Sequence, residues 1–477
     1  MTKNDYDLII IGGGPGGYVA AIKASQLGMS VALVEDKHLG GICLNWGCIP
    51  TKALLRASEI RHMLDNVSEF GFTVSDIKMD INNITKRSRK VAAQLSEGIS
   101  HLLKKNKVFV YEGFGNIEKC SIDSKTIMIK TKTETISKKA KNIIIATGAR
   151  SRNLPFISSD GVNVWDYKTA MTPPKLPSSL IIIGSGAIGM EFASFYNDLG
   201  VDVTVVEALP SILPNEDEDI SKIVDNNFKK RGVVIKTNAT LKSVEILNKS
   251  VSAEISVNGK VEKINAEKLI LAIGIVPNTE NLGLDNYNVN FDKGHILTNE
   301  WMETDEKGIY AIGDVTAGPW LAHKASHEGI LCVEKIAGNK DLIPIDKTSI
   351  PGCTYCRPQV ASIGLTEKNA KFQNLNIKVG KFPFVGNGKA IALGDSEGMI
   401  KTIFNKDTGE LIGAHMVGPE VTELIQGFSI AKKLETTEKE LMHTIFPHPT
   451  LSESMHESVL DASVSYTHLT LPTTPYV

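Results

Sequence analysis

Apolar positions in this chain gather into short, nearly unbroken runs, each ending close to a glycine or an acid. Residues 6–11, 30–34, 142–146, 180–183, 201–206 and 268–273 are of this kind and predict buried strands. Residues 18–28, 53–64 and 84–105 read instead as helices, the last largely polar, and 107–114 and 126–132 as short strands. Strand, helix and strand in alternation predict an α/β protein built on parallel sheets.

The first strand leads straight into Gly12-Gly13-Gly14-Pro15-Gly16-Gly17 and a helix. In that setting Gly12 makes the turn, Gly14 lets backbone approach a pyrophosphate, and Gly17 lets helix pack on strand, with the helix N-terminus toward the phosphates. The next strand ends at Glu35, placed to accept the ribose hydroxyls of an adenosine half. The competing reading is a glycine-rich turn without a ligand. Residues 142–146 end at Thr147 and Gly148, which a returning strand brings near the same cofactor unless they only close the strand.

After the proline-rich residues 172–177 the pattern repeats, with Gly184, Gly186 and Gly189 as a second fingerprint and Glu207 ending a second acid-terminated strand. Gly274 mirrors Gly148, so two dinucleotide sites are expected. A carboxylate on the ribose repels a 2′-phosphate, and no arginine follows Glu207 closely, which favours NAD over NADP.

Length changes the picture only in number: 477 residues exceed one core and imply about three domains. A formal net charge of −2 and the lack of a basic face argue against nucleic acid. No apolar run approaches the ~20 residues of a membrane span, and residues 1–7 have no signal-peptide pattern, so a soluble, cytoplasmic protein without a membrane partner is expected. Six scattered cysteines do not form a secreted framework.

Two of those cysteines carry candidate chemistry. Cys43 and Cys48 stand in Gly40-Gly-Ile-Cys-Leu-Asn-Trp-Gly-Cys-Ile-Pro-Thr-Lys52, a spacing that suits neither zinc nor a thioredoxin-type pair and reads as a redox disulfide. Residues five apart on an ideal helix have Cα atoms ~8–9 Å from each other, beyond the ~7 Å a disulfide tolerates. The helix start must therefore be distorted, and Gly47 and Pro50 supply the means. A helix N-terminus and Lys52 would lower the thiol pKa. The alternative is a pair of buried cysteines with no chemistry.

The GGICLNWGCIPTK segment, with the two fingerprints, Gly308-Ile-Tyr-Ala-Ile-Gly-Asp314-Val and Leu321-Ala322-His-Lys-Ala, resembles the class I pyridine nucleotide-disulfide oxidoreductases from Asp5 to about Ala462. The closest likeness is to members that reoxidise dihydrolipoamide for 2-oxo acid dehydrogenase complexes. That resemblance implies FAD and NAD as cofactors, with Cys48 beside the flavin, Cys43 exchanging with lipoamide, Lys52 near flavin N5, Asp314 on the ribityl chain, Ala322 beside the flavin and Glu191 near the nicotinamide. It also implies a homodimer, with lipoyl domains and the core acyltransferase of such a complex as partners. Another NAD(P)-dependent disulfide reductase of the same plan, or a flavin-loaded scaffold subunit, are the alternatives.

Phe446-Pro-His448-Pro-Thr450-Leu-Ser-Glu453 matches the same family. Dithiol attack on a disulfide needs a proton acceptor, and His448 suits that, with Glu453 near enough to orient it. Thr450-x-x-Glu453 also fits a capping box, so Glu453 has a purely structural alternative. The expected architecture is an FAD-binding domain with the redox disulfide over 1–152, an NAD-binding domain over 153–276, a central segment over 277–347 completing the FAD site, and a C-terminal α+β interface domain over 348–462.

Other features carry less. Cys353 and Cys356 form a CxxC without a second pair and fall in a β-rich stretch, Cys120 and Cys332 read as inert, His415 and His443 as structural or exposed, and no metal site is expected. Ile275 stands where many relatives carry arginine. Residues 463–477 carry neither Asp, Glu, Lys nor Arg and show no helical period; they read as read-through from cloning or sequence assembly and are set aside.

Overall fold

The computed structural model describes residues 5–121 and 124–463. The side chain of Cys120 and, Ser463 apart, the tail of residues 463–477 lie outside that description. The chain divides into two compact units, one made of the residues up to Leu54 with Asp80–Arg152 and Gly274–Ile345, the other of Leu55–Met79, Asn153–Ile273 and the residues from Asp346 onward. Among the described residues no helix is long and apolar enough to cross a membrane.

The first unit is built on β1 (Asp5–Ile11), α1 (Pro15–Gln26), β2 (Val31–Glu35), α2 (Gly41–Trp46), α3 (Cys48–Asp65), α4 (Ile81–Lys105), β3 (Phe109–Glu112), β4 (Phe114–Cys120), β5 (Lys125–Lys130) and β6 (Thr135–Ile145). Its sheet runs β3-β2-β1-β6-β5-β4, with the short strand Ile309–Ala311 also on β6. β1, β2, β3 and the far half of β6 are parallel, whereas β5 returns antiparallel on its near half. The apolar run at 142–146 is thus the buried end of a longer strand, whose polar first half the run does not reveal. One face buries Ile9, Ile11 and Ile143, the other Leu8, Ile10 and Ile144, so the strands carry no alternation because both faces are covered. Helix α4 begins earlier than its apolar period suggests, because the Asp80 side chain accepts the Asn82 and Asn83 N–H groups at 2.9 and 3.3 Å.

The second unit holds a five-stranded sheet ordered Val234–Lys236, Asp202–Val206, Ser179–Ile183, Lys268–Leu271, Val164–Trp165, parallel throughout. It also holds a five-stranded antiparallel sheet from Gly352–Thr354 to Leu411–Gly418, against which the helices Val421–Lys433 and Glu453–Ala462 pack through Phe428, Met455 and Val459. One buried ion cluster ties these parts together. Lys401, 2% exposed, reaches Asp217 at 2.8 Å and Asp219 and Glu367 at 2.6 Å each. Lys381 adds a second cation to Asp219 at 2.8 Å.

Candidate active site

Both glycine loops are shaped by close approach. A β-carbon on Gly17 would collide with the Gly12 carbonyl oxygen, and one on Gly189 with that of Gly184. The middle glycines differ: at Gly14 the nearest atom to such a β-carbon is 3.9 Å away, and at Gly186 nothing lies within 4 Å. Each of these two is the N-cap of its helix, α1 or Ala187–Asp198, and as a glycine brings no side chain to bond the first N–H groups. Open space in front of unsatisfied helix-terminal donors is what a pyrophosphate requires, so the residues present fit two dinucleotides.

The acids do more than the sequence suggests. Glu35 accepts the Gly13 N–H at 2.6 Å and the Lys37 and His38 N–H groups at 2.8 and 3.1 Å. Glu207 accepts the Ser185 N–H and hydroxyl at 2.9 and 2.7 Å and the Leu209 N–H at 2.8 Å. Each carboxylate therefore fastens its glycine loop to the end of the second strand. Burial pushes the Glu35 carboxyl up, against the opposing pull of its backbone donors.

The cysteine loop packs on the first glycine loop, since a β-carbon on Gly41 would press on the Gly14 Cα. Helix α2 stops at Trp46, the backbone leaves helical values at Gly47, and α3 restarts at Cys48. Gly47 O then takes both the Thr51 N–H at 3.0 Å and its hydroxyl at 2.7 Å. The expected distortion is thus a clean break between the two cysteines. Both are thiols here, and a side-chain hydrogen bond joins them. That bond, then burial, raises the Cys43 pKa. Lys52 opposes the shift without overcoming it, so the expected lowering is reversed for Cys43.

The remaining candidates divide between the units. Thr147 bonds the Asn278 carbonyl through its hydroxyl at 2.7 Å, and Asn278 returns a bond to the Thr147 carbonyl at 3.0 Å. Gly148 follows with φ +68°. Asp314 lies in the turn Gly313–Val315, its carboxyl pushed up by burial and by Glu328 against the weaker opposing pull of Lys324 and His295. The helix Ala322–Ile336 carries Lys324 and Glu328, a buried pair at 2.9 Å, and Glu328 also accepts the Gly313 N–H at 2.8 Å. The sequence reading missed Glu328, although its position four residues after Lys324 is the spacing that pairs side chains on a helix.

In the second unit Glu191 is buried in the helix Ala187–Asp198, where its carboxylate accepts the Tyr355 N–H at 3.0 Å. Gly274, which opens the last stretch of the first unit with φ +101°, leaves open space where a β-carbon would stand. Cys356 is fully buried with its thiol directed to the Pro358 carbonyl at 3.2 Å, and Cys353 lies 4.0 Å from the Thr422 carbonyl. Cys332 and His415 are core residues and His443 is exposed.

His448 projects into solvent, its side chain 71% exposed, while its Nδ1 meets Glu453 Oε1 at 2.8 Å. A carboxylate oxygen accepts, so Nδ1 carries the hydrogen and Nε2 is left as the basic atom. The other Glu453 oxygen accepts the Thr450 N–H at 2.9 Å, so the orienting and backbone-satisfying roles coexist. Thr450 is not the cap itself; the helix begins at Glu453, after Ser452.

The arrangement can exchange disulfides, move protons and hold two dinucleotides, and comparison with known proteins agrees. The family model for pyridine nucleotide-disulphide oxidoreductases matches residues 6–329, and that for their dimerisation domain residues 350–459. The chain is 53% identical to a dihydrolipoyl dehydrogenase of Rhizobium etli and 52% to one of Zymomonas mobilis, in each case over 96% of this chain and 98% of the relative. A Bacillus subtilis dihydrolipoyl dehydrogenase is 42% identical over 97% and 99%. Among solved structures, LpdA of Mycobacterium tuberculosis superposes with a TM-score of 0.89 at 28% identity over 95% of this chain and 98% of that one. The flavoprotein disulfide reductase RclA of Escherichia coli does so with 0.85 at 25%, over 96% and 99%. With its two matched regions and relatives alike along nearly their whole length, this chain belongs to the pyridine nucleotide-disulphide oxidoreductase family.

Proposed function

We propose that this chain oxidises dihydrolipoyl groups to lipoyl groups with NAD+ as the acceptor, as a flavin disulfide oxidoreductase. The carrying observation is the break at Gly47, which leaves the Cys43 and Cys48 thiols within hydrogen-bonding reach of each other against a glycine loop fit for a dinucleotide. Bound FAD supplies the two-electron carrier between the cysteine pair and NAD+. Gly12, Gly14, Gly17 and Glu35 would hold its adenosine diphosphate half, and Lys52, Thr147, Gly148, Asp314 and Ala322 the remainder. Gly184, Gly186, Gly189, Glu191, Glu207 and Gly274 would hold NAD.

In the oxidised enzyme Cys43 and Cys48 form a disulfide. One dihydrolipoyl sulfur attacks Cys43, the Cys43–Cys48 bond breaks, and Cys48 leaves as a thiolate while His448 Nε2 takes the proton of the attacking thiol. The second dihydrolipoyl sulfur then displaces Cys43, which takes up that thiol's proton as it leaves, so the lipoyl disulfide closes with Cys43 a thiol, Cys48 a thiolate and His448 an imidazolium. Glu453 keeps Nε2 the proton acceptor and stabilises the imidazolium. Across a homodimer, each site would combine Cys43 and Cys48 of one subunit with His448 and Glu453 of the other, an arrangement supported by the dimerisation-domain match.

The same reading divides the chain into an FAD-binding domain, an NAD-binding domain from 153, a central segment from 277 and an interface domain over 348–462. It makes lipoyl domains and the acyltransferase core of a 2-oxo acid dehydrogenase complex the partners, in the cytoplasm. Anaerobic titration with dihydrolipoamide tests it. Two electrons per flavin should produce long-wavelength absorbance from a Cys48 thiolate beside oxidised flavin, and NAD+ should discharge it. Plain bleaching of the flavin at that stage would remove the relay.

A further inference from the structure

We propose that Arg89, stacked on Trp46, is a positioning residue that holds the redox loop closed and so favours the disulfide over the dithiol. The inference rests on the disulfide chemistry proposed above. Trp46 ends α2, lies between the two cysteines, and directly precedes the break at Gly47. Arg89, on α4, places its guanidinium carbon 4.0 Å from the centre of the Trp46 ring. Its Nη1 is buried without a hydrogen-bond partner, and burial lowers its pKa. A cation left without a bond at a buried nitrogen is held by the ring face, a contact that strengthens as water is excluded.

The rest of α4 grips the same loop on either side of this contact. Ser96 donates to the Asn45 side-chain oxygen at 3.1 Å, and Asn45 in turn donates to the Leu39 and Gly41 carbonyls at 2.9 Å each. Ser88 donates to the Pro50 carbonyl at 2.9 Å and Arg87 to that of Ala53 at 3.2 Å. These bonds fasten what precedes and follows the break. Two α4 residues reach the stretch between the cysteines, Ser96 through Asn45 and Arg89 through Trp46, and Arg89 holds the residue next to the break.

The effect on redox balance has a definite sign. A disulfide is restrained by its own covalent bond, whereas a dithiol spreads as far as its loop permits. The contact is made with the cysteines as thiols too, but a dithiol loop can leave it whereas a disulfide loop is held in place, so the contact stabilises the disulfide more. Removing it should cost the disulfide more than the dithiol and make the disulfide easier to reduce. A cation–π contact of this kind corresponds to about 3- to 30-fold in an equilibrium constant, which bounds the shift.

The test uses the FAD-loaded full chain, equilibrated anaerobically in lipoamide/dihydrolipoamide buffers, quenched by alkylation, with Cys43 and Cys48 peptides quantified. Wild type must show a reversible couple; its absence would sink the disulfide reading and this inference together. Given that couple, Arg89→Met and Trp46→Leu should each move the midpoint about 3- to 10-fold toward the dithiol. The double variant should move it no further than either single one, because both remove one contact. Arg89→Lys and Trp46→Phe, which keep a cation and a ring, should fall between wild type and these, and they supply the comparison should a harsher variant fold poorly. A midpoint within twofold of wild type in Arg89→Met or, if that variant does not fold, in Trp46→Leu, or a double variant whose shift is the product of the two singles, would overturn the inference while leaving the disulfide chemistry intact.

Discussion

His448 and Glu453 meet at 2.8 Å, Nδ1 to carboxylate oxygen, with the ring otherwise open to solvent. The Thr450 N–H occupies the second carboxylate oxygen, so the acid is fixed from behind before it orients the ring. A base held in one tautomer but left uncovered by its own subunit suits a site that a second subunit completes.

His448→Gln should retain flavin and fold but lose turnover of dihydrolipoamide by about 100- to 10,000-fold, the range of a lost general base. Glu453→Gln should lose less, since the basic atom remains. Steady-state rates at saturating NAD+ check both, and equal losses would mean that Glu453 is doing the chemistry itself.

Mixing disabled chains tests whether the site is shared. Cys48→Ser and His448→Gln, each nearly inactive alone, would combine in a mixed dimer so that one site carries both defects and the other neither. Random reassembly in equal amounts makes about half the dimers mixed, with one intact site of two, so roughly a quarter of wild-type activity should return. Activity that stays at parental level in proven mixed dimers would assign His448 to its own subunit.

Much of this site is legible in the sequence because its chemistry is local. Gly12, Gly14, Gly17 and Glu35 lie within one strand-helix-strand unit, Gly184 to Glu207 repeat it, and His448 and Glu453 are five residues apart. What escapes is set by packing between distant segments. The sulfur contact and burial that raise the Cys43 thiol, the Arg89 stack on Trp46 and the Asn278 clasp on Thr147 all depend on neighbours that no spacing rule reveals. At Glu453 the orienting and backbone-satisfying roles exclude each other only on paper, because a carboxylate has two oxygens and the fold uses one for each.

Glu207→Ala should weaken NAD+ binding by about 10- to 100-fold, the loss of charge-assisted hydrogen bonds to a ribose. Wild type should prefer NAD+ to NADP+ by orders of magnitude in kcat/KM. Comparable efficiencies with the two nucleotides would show that Glu207 serves the loop alone.

Stability in acid should follow the Lys401 cluster. Burial works against ionisation of Asp219, yet hydrogen bonds from Lys381 and Lys401 bring it down to about 2, and bonds from Lys371 and Lys401 lower Glu367. A depressed carboxyl contributes stability that is complete above its unfolded value of 3.8 and is lost as pH falls toward about 2. Melting of the wild type should therefore weaken over that window. Lys401→Met should cost about 3–5 kcal/mol at neutral pH, because Asp217 stays buried without its cation, and should flatten the acid dependence. An unchanged melting temperature at pH 7 would show the cluster to be energetically neutral.

The two carboxylate fasteners have a bearing on how cofactors are acquired. Because Glu35 holds Gly13 and Glu207 holds Ser185, each loop is braced by the protein's own carboxylate. Preorganisation of that sort spares a ligand the entropy of ordering the backbone that receives it. The binding energy of a dinucleotide is then less taken up by shaping the loop that receives it.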